Sequence, residues 1–406
     1  MLLEVVSGIR DLKSTKLSRS TMIGLGLALA AAMSIESPFV SITYNDPNDP
    51  RKEETKVVRK ELRKAQKELR ILDSDPLSAL SALCAFEASG SSAEVFCRQR
   101  KLHYRNLKEA AALRKQLVRI YASTFCTQLE ISPIDKESLL AWQPQPSLVQ
   151  DPFASIVLRR AIAAGWADRV ARRRYSNINH DPSKAQRKSV RYQVGSIDMD
   201  DMDEDVFLHS QSSLGVLAPE YVVYTDMVRS LAADKPCMVG VTAIEPQWLP
   251  SVATSLCRFS EPLTDPPPRY DASSDSVLVW KHITFGKHDW QLPDAMFLHP
   301  DAQERAAIFA AALLDGRVVK EFSMLRPHLA LPPSMAAKPE MRGHRRVGEL
   351  IHALEARGVD SKASLVDAWS SDPLFLRREL GVWMKKDAEH LLHRAWSNLL
   401  QELSAI

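Results

Sequence analysis

The stretch from residue 206 to residue 249 constrains the fold more than any other part of the sequence. It contains three short runs rich in β-branched, aromatic and large apolar residues: Val206–His209, Tyr221–Tyr224 and Met238–Ile244. Such residues favour half-buried, pleated strands, and turn-forming residues separate the runs. Short strands with turns about every 8–12 residues indicate a small sandwich or barrel. The pattern predicts a small β-barrel but does not say what the barrel binds.

The most basic segment of the chain, residues 159–191, lies shortly before this stretch. It holds ten Lys and Arg side chains against two Asp side chains, a net charge of +8. Arginines contact phosphates and aromatic rings stack on unpaired bases, so the segment indicates binding of single-stranded RNA. A flexible, solvated loop is the alternative. The predicted RNA-binding residues here are Arg159, Arg160, Arg169, Arg172, Arg173, Arg174, Tyr175, Lys184, Arg187, Lys188, Arg191 and Tyr192.

An acidic run follows the basic segment, with six carboxylates between residues 198 and 205. The run lacks the glycine and the terminal glutamate of a calcium-binding loop. We therefore expect a solvated loop between strands that repels stray RNA, rather than a metal site.

Residues 22–33 (MIGLGLALAAAM) are apolar and follow two basic residues, as in a signal peptide. They begin only at Met22, after a patterned segment, and they are too short to cross a membrane, which needs about 20 apolar residues. We therefore expect a buried helix and no membrane partner. Residues 51–70 carry nine Lys and Arg against four Glu at helical spacing. This pattern favours a solvated helix face over a nucleic-acid contact.

Further helices are expected between this segment and the barrel. Asp75 and Pro76 have the residue types of a helix N-cap and first turn. Residues 131–152 are proline-rich and indicate a linker. A helix is expected at residues 155–166, and Val170-Ala171 is expected to continue it.

The part of the chain after the barrel is expected to mix strands and helices. Its apolar runs predict strands at residues 277–280 and 290–297. Residues 328–342 are rich in Pro and Met and indicate a loop. Apolar residues at helical spacing predict helices at residues 301–314, 347–357, 362–369, 373–383 and 389–403.

Length and composition allow an ordinary globular protein of two or three domains. The chain has 406 residues, of which 45% are hydrophobic and 25% charged, and its net charge of +3 alone implies no polyanion partner. The five cysteines are an odd number without a CxxC pair. We therefore expect reduced thiols in an intracellular compartment.

The sequence contains no self-contained active site, so no catalytic residue is predicted. The phosphate-cradling GxxxxGK[ST] motif is absent, and Gly24-Leu25-Gly26 lies inside the apolar helix. His390 and His393 have helical spacing, but no partner lies at a known zinc-site spacing. We expect no metal site there.

Several of these segments together resemble the C-terminal half of DEAH-box RNA helicases. Residues 75–87 and 96–117 resemble the family's ratchet-type helical domain, and residues 158–173 resemble a helix of the family that contains an Ala-Gly pair and ends in Val-Ala-Arg. The segments at residues 207–214, 219–224 and 240–249 resemble the family's oligonucleotide-binding fold, and they occur in order with the expected gaps. The resemblance implies a mixed α and β, multidomain fold with a helical ratchet-type bundle, a small β-barrel (OB-fold) and an α+β C-terminal domain.

The long tail after residue 266 is similar to that of the nucleolar member of the family that acts in small ribosomal subunit biogenesis. The resemblance implies four segments: residues 1–45 as the remnant of a winged helix and the start of the helical bundle, 46–150 as the ratchet-like domain, 151–262 as the OB-fold with a basic insertion, and 263–406 as the C-terminal domain. It also implies a nucleolar or nuclear location and a role in rRNA processing.

The sequence departs from the family in lacking the motifs of the ATP-binding motor, the Walker A and DEAH sequences. ATP and magnesium would belong to motor domains that this sequence does not contain, and we expect no ATPase activity from it alone. We expect either a shortened form of a longer protein or a stand-alone accessory protein.

The resemblance implies that the chain is the RNA-binding C-terminal module of an ATP-dependent RNA helicase. Its RNA would be pre-ribosomal RNA or a small nucleolar RNA, and barrel loop residues would approach the strand. The alternative is a protein-interaction module that binds an activator with a glycine-rich patch or ribosome-assembly factors. The loop residues predicted to contact RNA are His209, Ser210, Ser212 and Ser213.

Overall fold

The computed structural model describes residues 17–41, 52–128, 133–174, 190–195, 205–230 and 235–404. The chain divides into two compact units. The first comprises Met1–Arg258 with Thr284–Trp290, and the second comprises Phe259–Ile283 with Gln291–Ile406.

The first unit begins with helices. Their bounds are α1 Arg19–Met33, α2 Lys52–Gln66, α3 Asp75–Ala88, α4 Ala93–Arg100, α5 Tyr104–Gln128, α6 Pro133–Ala141, α7 Pro146–Val149 and α8 Pro152–Gly165. Helix α1 begins where the Ser18 side chain accepts a hydrogen bond from the Thr21 N–H. Its apolar residues are buried almost all round, as predicted. Within the described residues, no helix is long and apolar enough to span a membrane.

Helix α1 packs against α5 and α6 through a small apolar core. Ile23 and Leu27 of α1 meet Val118 and Tyr121 of α5 and Leu139 of α6 in that core. Helices α6 and α7 lie within residues 131–152, so the proline-rich link predicted there contains short helices. Prolines begin both helices, at a position where the missing N–H costs no hydrogen bond.

The sequence predicts Asp75 as the N-cap of helix α3, but the N-cap lies one residue earlier. The N-cap is Ser74, whose hydroxyl accepts a hydrogen bond from the Leu77 N–H, and not Asp75. Asp75 is the first helical residue, so its carboxylate is available for partners outside the helix.

A seven-stranded sheet completes the first unit. Its strands are β1 Val170–Arg173, β2 Arg191–Val194, β3 Val206–Leu208, β4 Tyr221–Val223, β5 Asp226–Ser230, β6 Lys235–Val239 and β7 Thr242–Ala243, in the order β5-β6-β3-β2-β1-β4-β7. The β3–β6 pair is parallel and the β1–β2 and β1–β4 pairs are antiparallel. The three runs predicted as strands are therefore confirmed, and the third divides into β6 and β7.

Strand β1 corrects the expectation that Val170 and Ala171 continue a helix. Helix α8 ends at Gly165, and Val170 pairs with Val223 on one side while Ala171 pairs with Val194 on the other. Pairing on both edges and burial of its apolar side chains stabilise the strand. The core of the sheet contains Ala171, Tyr192, Val194, Val206, Leu214, Val222, Tyr224, Met238, Val241 and Ala243.

The strands of the rest of the chain are β8 Cys257–Phe259, β9 Arg269–Asp271, β10 Ser276–Phe285 and β11 Trp290–Leu298, and they follow the short helix α9 Leu249–Val252. They form a sheet with the order β11-β10-β8, and β9 also pairs with β10. The predicted strands at residues 277–280 and 290–297 are confirmed as parts of β10 and β11.

The second unit contains helices α10 Ala302–Leu314, α11 Arg345–Ala356, α12 Lys362–Ser371, α13 Arg377–Trp383 and α14 Glu389–Ser404. The predicted loop at residues 328–342 contains short 3-10 helices. Three aromatic rings lie at the centre of its core, where Phe322 stacks on Trp396 and both meet Trp369 edge-on. The indole N–H groups of Trp369 and Trp396 donate to the carbonyls of Phe375 and Pro373, so these buried polar groups are satisfied.

Candidate nucleic-acid interface

The predicted RNA-binding arginines begin on helix α8, where Arg159 and Arg160 hold structure together. The Arg159 guanidinium lies 3.3 Å from the Asp73 carboxylate and 5.3 Å from the centre of the Trp248 ring. Its side chain is largely buried. Arg160 donates a hydrogen bond of 3.3 Å to the Ser251 hydroxyl. Both guanidinium groups are therefore engaged with neighbouring segments of the first unit.

Three further arginines lie at or on strand β1 and bind neighbouring groups. Arg169 donates to the Thr225 carbonyl, and Arg173 donates to the Ala218 carbonyl over 2.6 Å. Arg172 binds Glu220 through Nε and Nη2, at 3.1 and 2.9 Å. The contacts of Arg172 and Arg173 hold β1 to the loop before β4, and the Arg172 guanidinium lies 5.2 Å from the Tyr221 ring centre.

Arg174 and Arg191 converge on one carboxylate at the edge of these strands. Their Nη1 atoms lie 3.1 Å from Asp205 Oδ1 and 3.1 Å from Asp205 Oδ2, respectively. The backbone joins the same two arginines, because Arg174 N donates to Arg191 O over 2.8 Å. The two side chains are 38% and 66% exposed, so this pair presents more guanidinium surface to solvent than Arg159 does at 13%.

Tyr192 faces the interior of the sheet. Its ring is fully buried, and its hydroxyl donates a hydrogen bond of 2.9 Å to the Pro219 carbonyl. The ring therefore fills the core in this conformation and presents no face to a base. The predicted contacts Tyr175, Lys184, Arg187 and Lys188 lie outside the described residues.

The four predicted loop residues follow β3 in what we call the 209–213 loop. His209 donates its backbone N–H to the Met238 carbonyl, and the Ser210 side chain is exposed. Ser212 caps the short 3-10 helix Ser213–Val216 by accepting a hydrogen bond from the Leu214 N–H. The loop thus brings His209, Ser210, Ser212 and Ser213 together at one end of β3.

Two residues that the sequence did not mark as functional hold this loop in place. Asp75 Oδ1 accepts hydrogen bonds of 2.8 Å from both the N–H and the hydroxyl of Ser213, and Asp75 Oδ2 accepts one of 3.2 Å from the Val241 N–H. Arg70 donates a long hydrogen bond of 3.4 Å to the Gln211 carbonyl. From the sequence, Asp75 could be recognised only as a residue of a type that begins helices. Its contact with Ser213 could not be predicted, because Ser213 lies 138 positions further along.

The surroundings of Arg70 and Asp75, which hold the 209–213 loop, favour a structural role rather than a catalytic one. Arg70 also lies 3.9 Å from the Phe39 ring centre and donates to Gln66 Oε1. Burial lowers the pKa of the Arg70 guanidinium, while nearby Asp75 raises it and Arg63 lowers it. An arginine remains charged at neutral pH in such surroundings. No group of His, Cys, Asp and Glu side chains arranged to hold a metal ion occurs among the described residues.

Two family models match the chain. Residues 158–256 match the oligonucleotide/oligosaccharide-binding (OB)-fold, which covers strands β1–β7 and the 209–213 loop. Residues 321–400 match the DEAH helicase DHX37 C-terminal domain, which lies within the second unit.

Curated relatives agree with these matches. The chain is 31% identical to "ATP-dependent RNA helicase DEAH13" of Arabidopsis thaliana, over 99% of this chain and 32% of that protein. It is 29% identical to "Probable ATP-dependent RNA helicase kurz" of Drosophila melanogaster, over 87% of this chain and 29% of that protein. It is 28% identical to "Probable ATP-dependent RNA helicase DHX37" of Homo sapiens, over 79% of this chain and 26% of that protein. The chain therefore spans about a third or less of the length of these relatives.

A solved structure, the crystal structure of the E. coli DExH-box NTPase HrpB, is similar over 96% of this chain and 38% of that chain, with 13% identity and a TM-score of 0.24. That score is too low to support an argument about the fold. The family models and the relatives confirm the resemblance to the C-terminal half of the family and the mixed α and β fold with an OB-fold. The chain has the C-terminal domains of a DEAH-box RNA helicase of the DHX37 type.

Proposed function

We propose that this chain binds single-stranded RNA through its OB-fold, as the C-terminal module of an ATP-dependent RNA helicase. The observation that carries the proposal is the presence of a fixed loop and a pair of exposed arginines on the same OB-fold sheet. Asp75 and Arg70 fix the 209–213 loop, and the sheet carries the exposed Arg174 and Arg191. A fixed loop with the exposed Ser210 and a cationic strand edge suit an RNA backbone, because phosphates accept hydrogen bonds from hydroxyl and guanidinium groups.

The test is a binding titration of the purified chain with a fluorescein-labelled single-stranded RNA, read by anisotropy at several salt concentrations. If four phosphates are neutralised, the association constant should fall about 50-fold between 0.05 and 0.2 M salt. A matched double-stranded RNA serves as the control and should bind more weakly, because its bases are paired. Negligible binding of both RNAs at the lowest salt concentration would contradict the proposal.

The 209–213 loop should matter for this binding through its conformation. We expect Asp75→Asn to weaken RNA binding about three- to tenfold, since an amide cannot accept all three hydrogen bonds that the carboxylate accepts. A matched control is Asp226→Asn, which removes a carboxylate whose hydrogen bond is to the Met227 N–H on strand β5. The variant and the control should differ in RNA affinity while both remain folded by circular dichroism.

We also propose the finer role that the resemblance implies. The RNA would be pre-ribosomal RNA or a small nucleolar RNA, the process rRNA processing in small ribosomal subunit biogenesis, and the location the nucleolus. The match of residues 321–400 to the DHX37 C-terminal domain supports this role. Crosslinking of RNA to the tagged chain in cells, followed by sequencing, tests it. Enrichment of messenger RNA over ribosomal precursors would contradict it.

ATP and magnesium are proposed to bind outside this chain, in the motor that ATP-dependent relatives require. The sequence contains no GxxxxGK[ST] motif, which supports this assignment. The purified chain should therefore show no RNA-stimulated ATP turnover above a blank. Turnover that rises with added single-stranded RNA would contradict it.

The alternative function is a protein-interaction module for an activator with a glycine-rich patch or for ribosome-assembly factors. The apolar segment 373–383 would be one candidate partner face, but its Phe375 and Trp383 are buried in the second unit. Strand β11 instead exposes Met296 and Leu298, by 42% and 58%. This apolar surface supports the alternative function. A pull-down tests it: the double variant Met296→Ser with Leu298→Ser should lose a protein partner that the unaltered chain retains.

A further inference from the structure

The carboxylate of Asp205 is held like a bound phosphate. One guanidinium contacts each of its two oxygens, Arg174 at Oδ1 and Arg191 at Oδ2, both over 3.1 Å. These two arginines are its hydrogen-bonding partners within the described part of the chain. A phosphodiester has the same charge and also presents two oxygens at which arginines donate.

This arginine pair differs from the other arginines of the basic segment. Arg159 is buried between Asp73 and Trp248, and Arg172 binds Glu220 beside Tyr221. Their loss would disturb the packing of α8 or β1. Arg174 and Arg191 lie at the ends of β1 and β2 with their guanidinium groups exposed, whereas Asp205 is only 20% exposed. Solvent therefore reaches the arginines more readily than their carboxylate.

We propose that Arg174 and Arg191 form a binding site for one backbone phosphate of single-stranded RNA, which Asp205 occupies until the RNA displaces it. The proposal rests on the RNA-binding function proposed above and deepens it. Both ion pairs involve solvent-exposed arginines and so contribute little net stability, and the incoming phosphate would leave both guanidinium groups paired. Removing the Asp205 carboxylate would make the charge at the site more positive by one unit. Asp205 thus lowers RNA affinity and limits binding to strands that offer further contacts.

The first experiment compares RNA binding by the unaltered chain with binding by Asp205→Asn over a salt series. The variant should bind single-stranded RNA about fivefold more tightly at 0.1 M salt. Because the same phosphate is bound in both proteins, the slope of the log association constant against log salt should differ by less than about 0.7, the contribution of one phosphate on a single strand. An unchanged affinity would overturn the proposal.

Two controls separate this site from a general effect of charge. Asp289→Asn removes an exposed carboxylate of the same unit, paired with Arg258 at 2.6 Å, and should change RNA affinity less than twofold. In a chain that already carries Arg174→Gln and Arg191→Gln, Asp205→Asn should also have less than a twofold effect. An equal gain in the control or in this background would overturn the proposal, because Asp205 would then act through the overall field.

A third arm distinguishes RNA from free phosphate. Sodium phosphate replaces sodium chloride at the same ionic strength, and the gain of Asp205→Asn should persist. Loss of the gain would mean that the site takes inorganic phosphate, and the assignment to an RNA phosphate would fall. Failure of the proposed function looks different: then neither the unaltered chain nor any variant binds RNA at low salt.

Discussion

Among single residues, one buried ion pair joins two helices of the first unit. Arg114 of α5 donates to both oxygens of Glu87 of α3, at 2.8 and 2.7 Å, and the side chains are 4% and 9% exposed. The geometry is bidentate, so both charges are compensated. The pair is therefore stabilising only as long as both members are present.

We expect Arg114→Ala to lower the free energy of unfolding by about 3–5 kcal/mol, because it leaves the Glu87 charge buried without a partner. Urea unfolding followed by circular dichroism measures this change. The control is Arg105→Ala on the same helix, which removes an exposed pair with Glu109 and should cost less than about 0.5 kcal/mol. Similar values for the two variants would contradict the assignment.

Cys84 of α3 lies next to this ion pair, and its thiol should not react with alkylating reagents in the folded chain. Burial raises the pKa of its thiol to about 12, and the charge of Glu87 adds to the effect while Arg114 opposes it. The thiolate is the reactive species, so iodoacetamide at pH 8 should leave Cys84 unmodified in the folded chain and modify it in urea. Peptide mass spectrometry measures this, and rapid labelling of Cys84 in the folded chain would show that α3 opens readily.

At the scale of elements, helix α12 of the second unit has its own N-cap, Ser361, and a further cap from another segment. Asp275 Oδ1 accepts from the Lys362 N–H over 2.5 Å, and Oδ2 accepts from the Ala363 N–H over 2.8 Å. Tyr270 also donates to Asp275 Oδ1 over 2.6 Å. Burial would raise the pKa of Asp275, but these hydrogen bonds outweigh it and hold the pKa below its ordinary value.

A lowered pKa in the folded state means that Asp275 stabilises the fold above the unfolded pKa of about 4. That stability is lost as the pH falls through the lower, folded pKa. Asp275→Asn should therefore lower the free energy of unfolding by about 1 kcal/mol at pH 7, since the group is partly exposed. The difference from the unaltered chain should shrink below pH 4. Thermal unfolding at pH 7 and pH 3 measures this, and a constant difference would contradict it.

Local patterns explain why some elements were predictable. Strands β3, β4 and β6 have runs of β-branched and aromatic residues within a few positions, and α1 is apolar on every side. Strand β1 was missed because its four residues follow a helix closely, and its pairing partners Val194 and Val223 are distant in sequence. Gly24 looked like part of a weak glycine motif. The structure gives a packing reason instead, since a Cβ there would lie 2.5 Å from the Trp142 ring.

The candidate site was predictable in place but not in detail. The net charge of residues 159–191 located the cationic region, and the residue types marked the 209–213 loop. Charge counts cannot show which arginines are already bound, however. Asp73 lies 86 positions before Arg159 and Glu220 lies 48 positions after Arg172, so their ion pairs exist only in the folded chain.

For the whole molecule, we propose different roles for the two units. We propose RNA contact for the first unit, which contains the OB-fold match at residues 158–256. The second unit contains the DHX37 C-terminal domain match at residues 321–400, and we propose its exposed strand β11 as the surface for a protein partner if the alternative function holds. The bounds of the four segments expected from the sequence stay a prediction.

The most direct measurement maps where RNA touches the chain. A single-stranded RNA containing 4-thiouridine is crosslinked to the purified chain by ultraviolet light, and crosslinked peptides are identified by mass spectrometry. We predict crosslinks within residues 158–256, at peptides that contain Arg174, Arg191 or the 209–213 loop, and their loss in high salt. Crosslinks confined to residues 321–400, or none that an excess of unlabelled RNA removes, would contradict it.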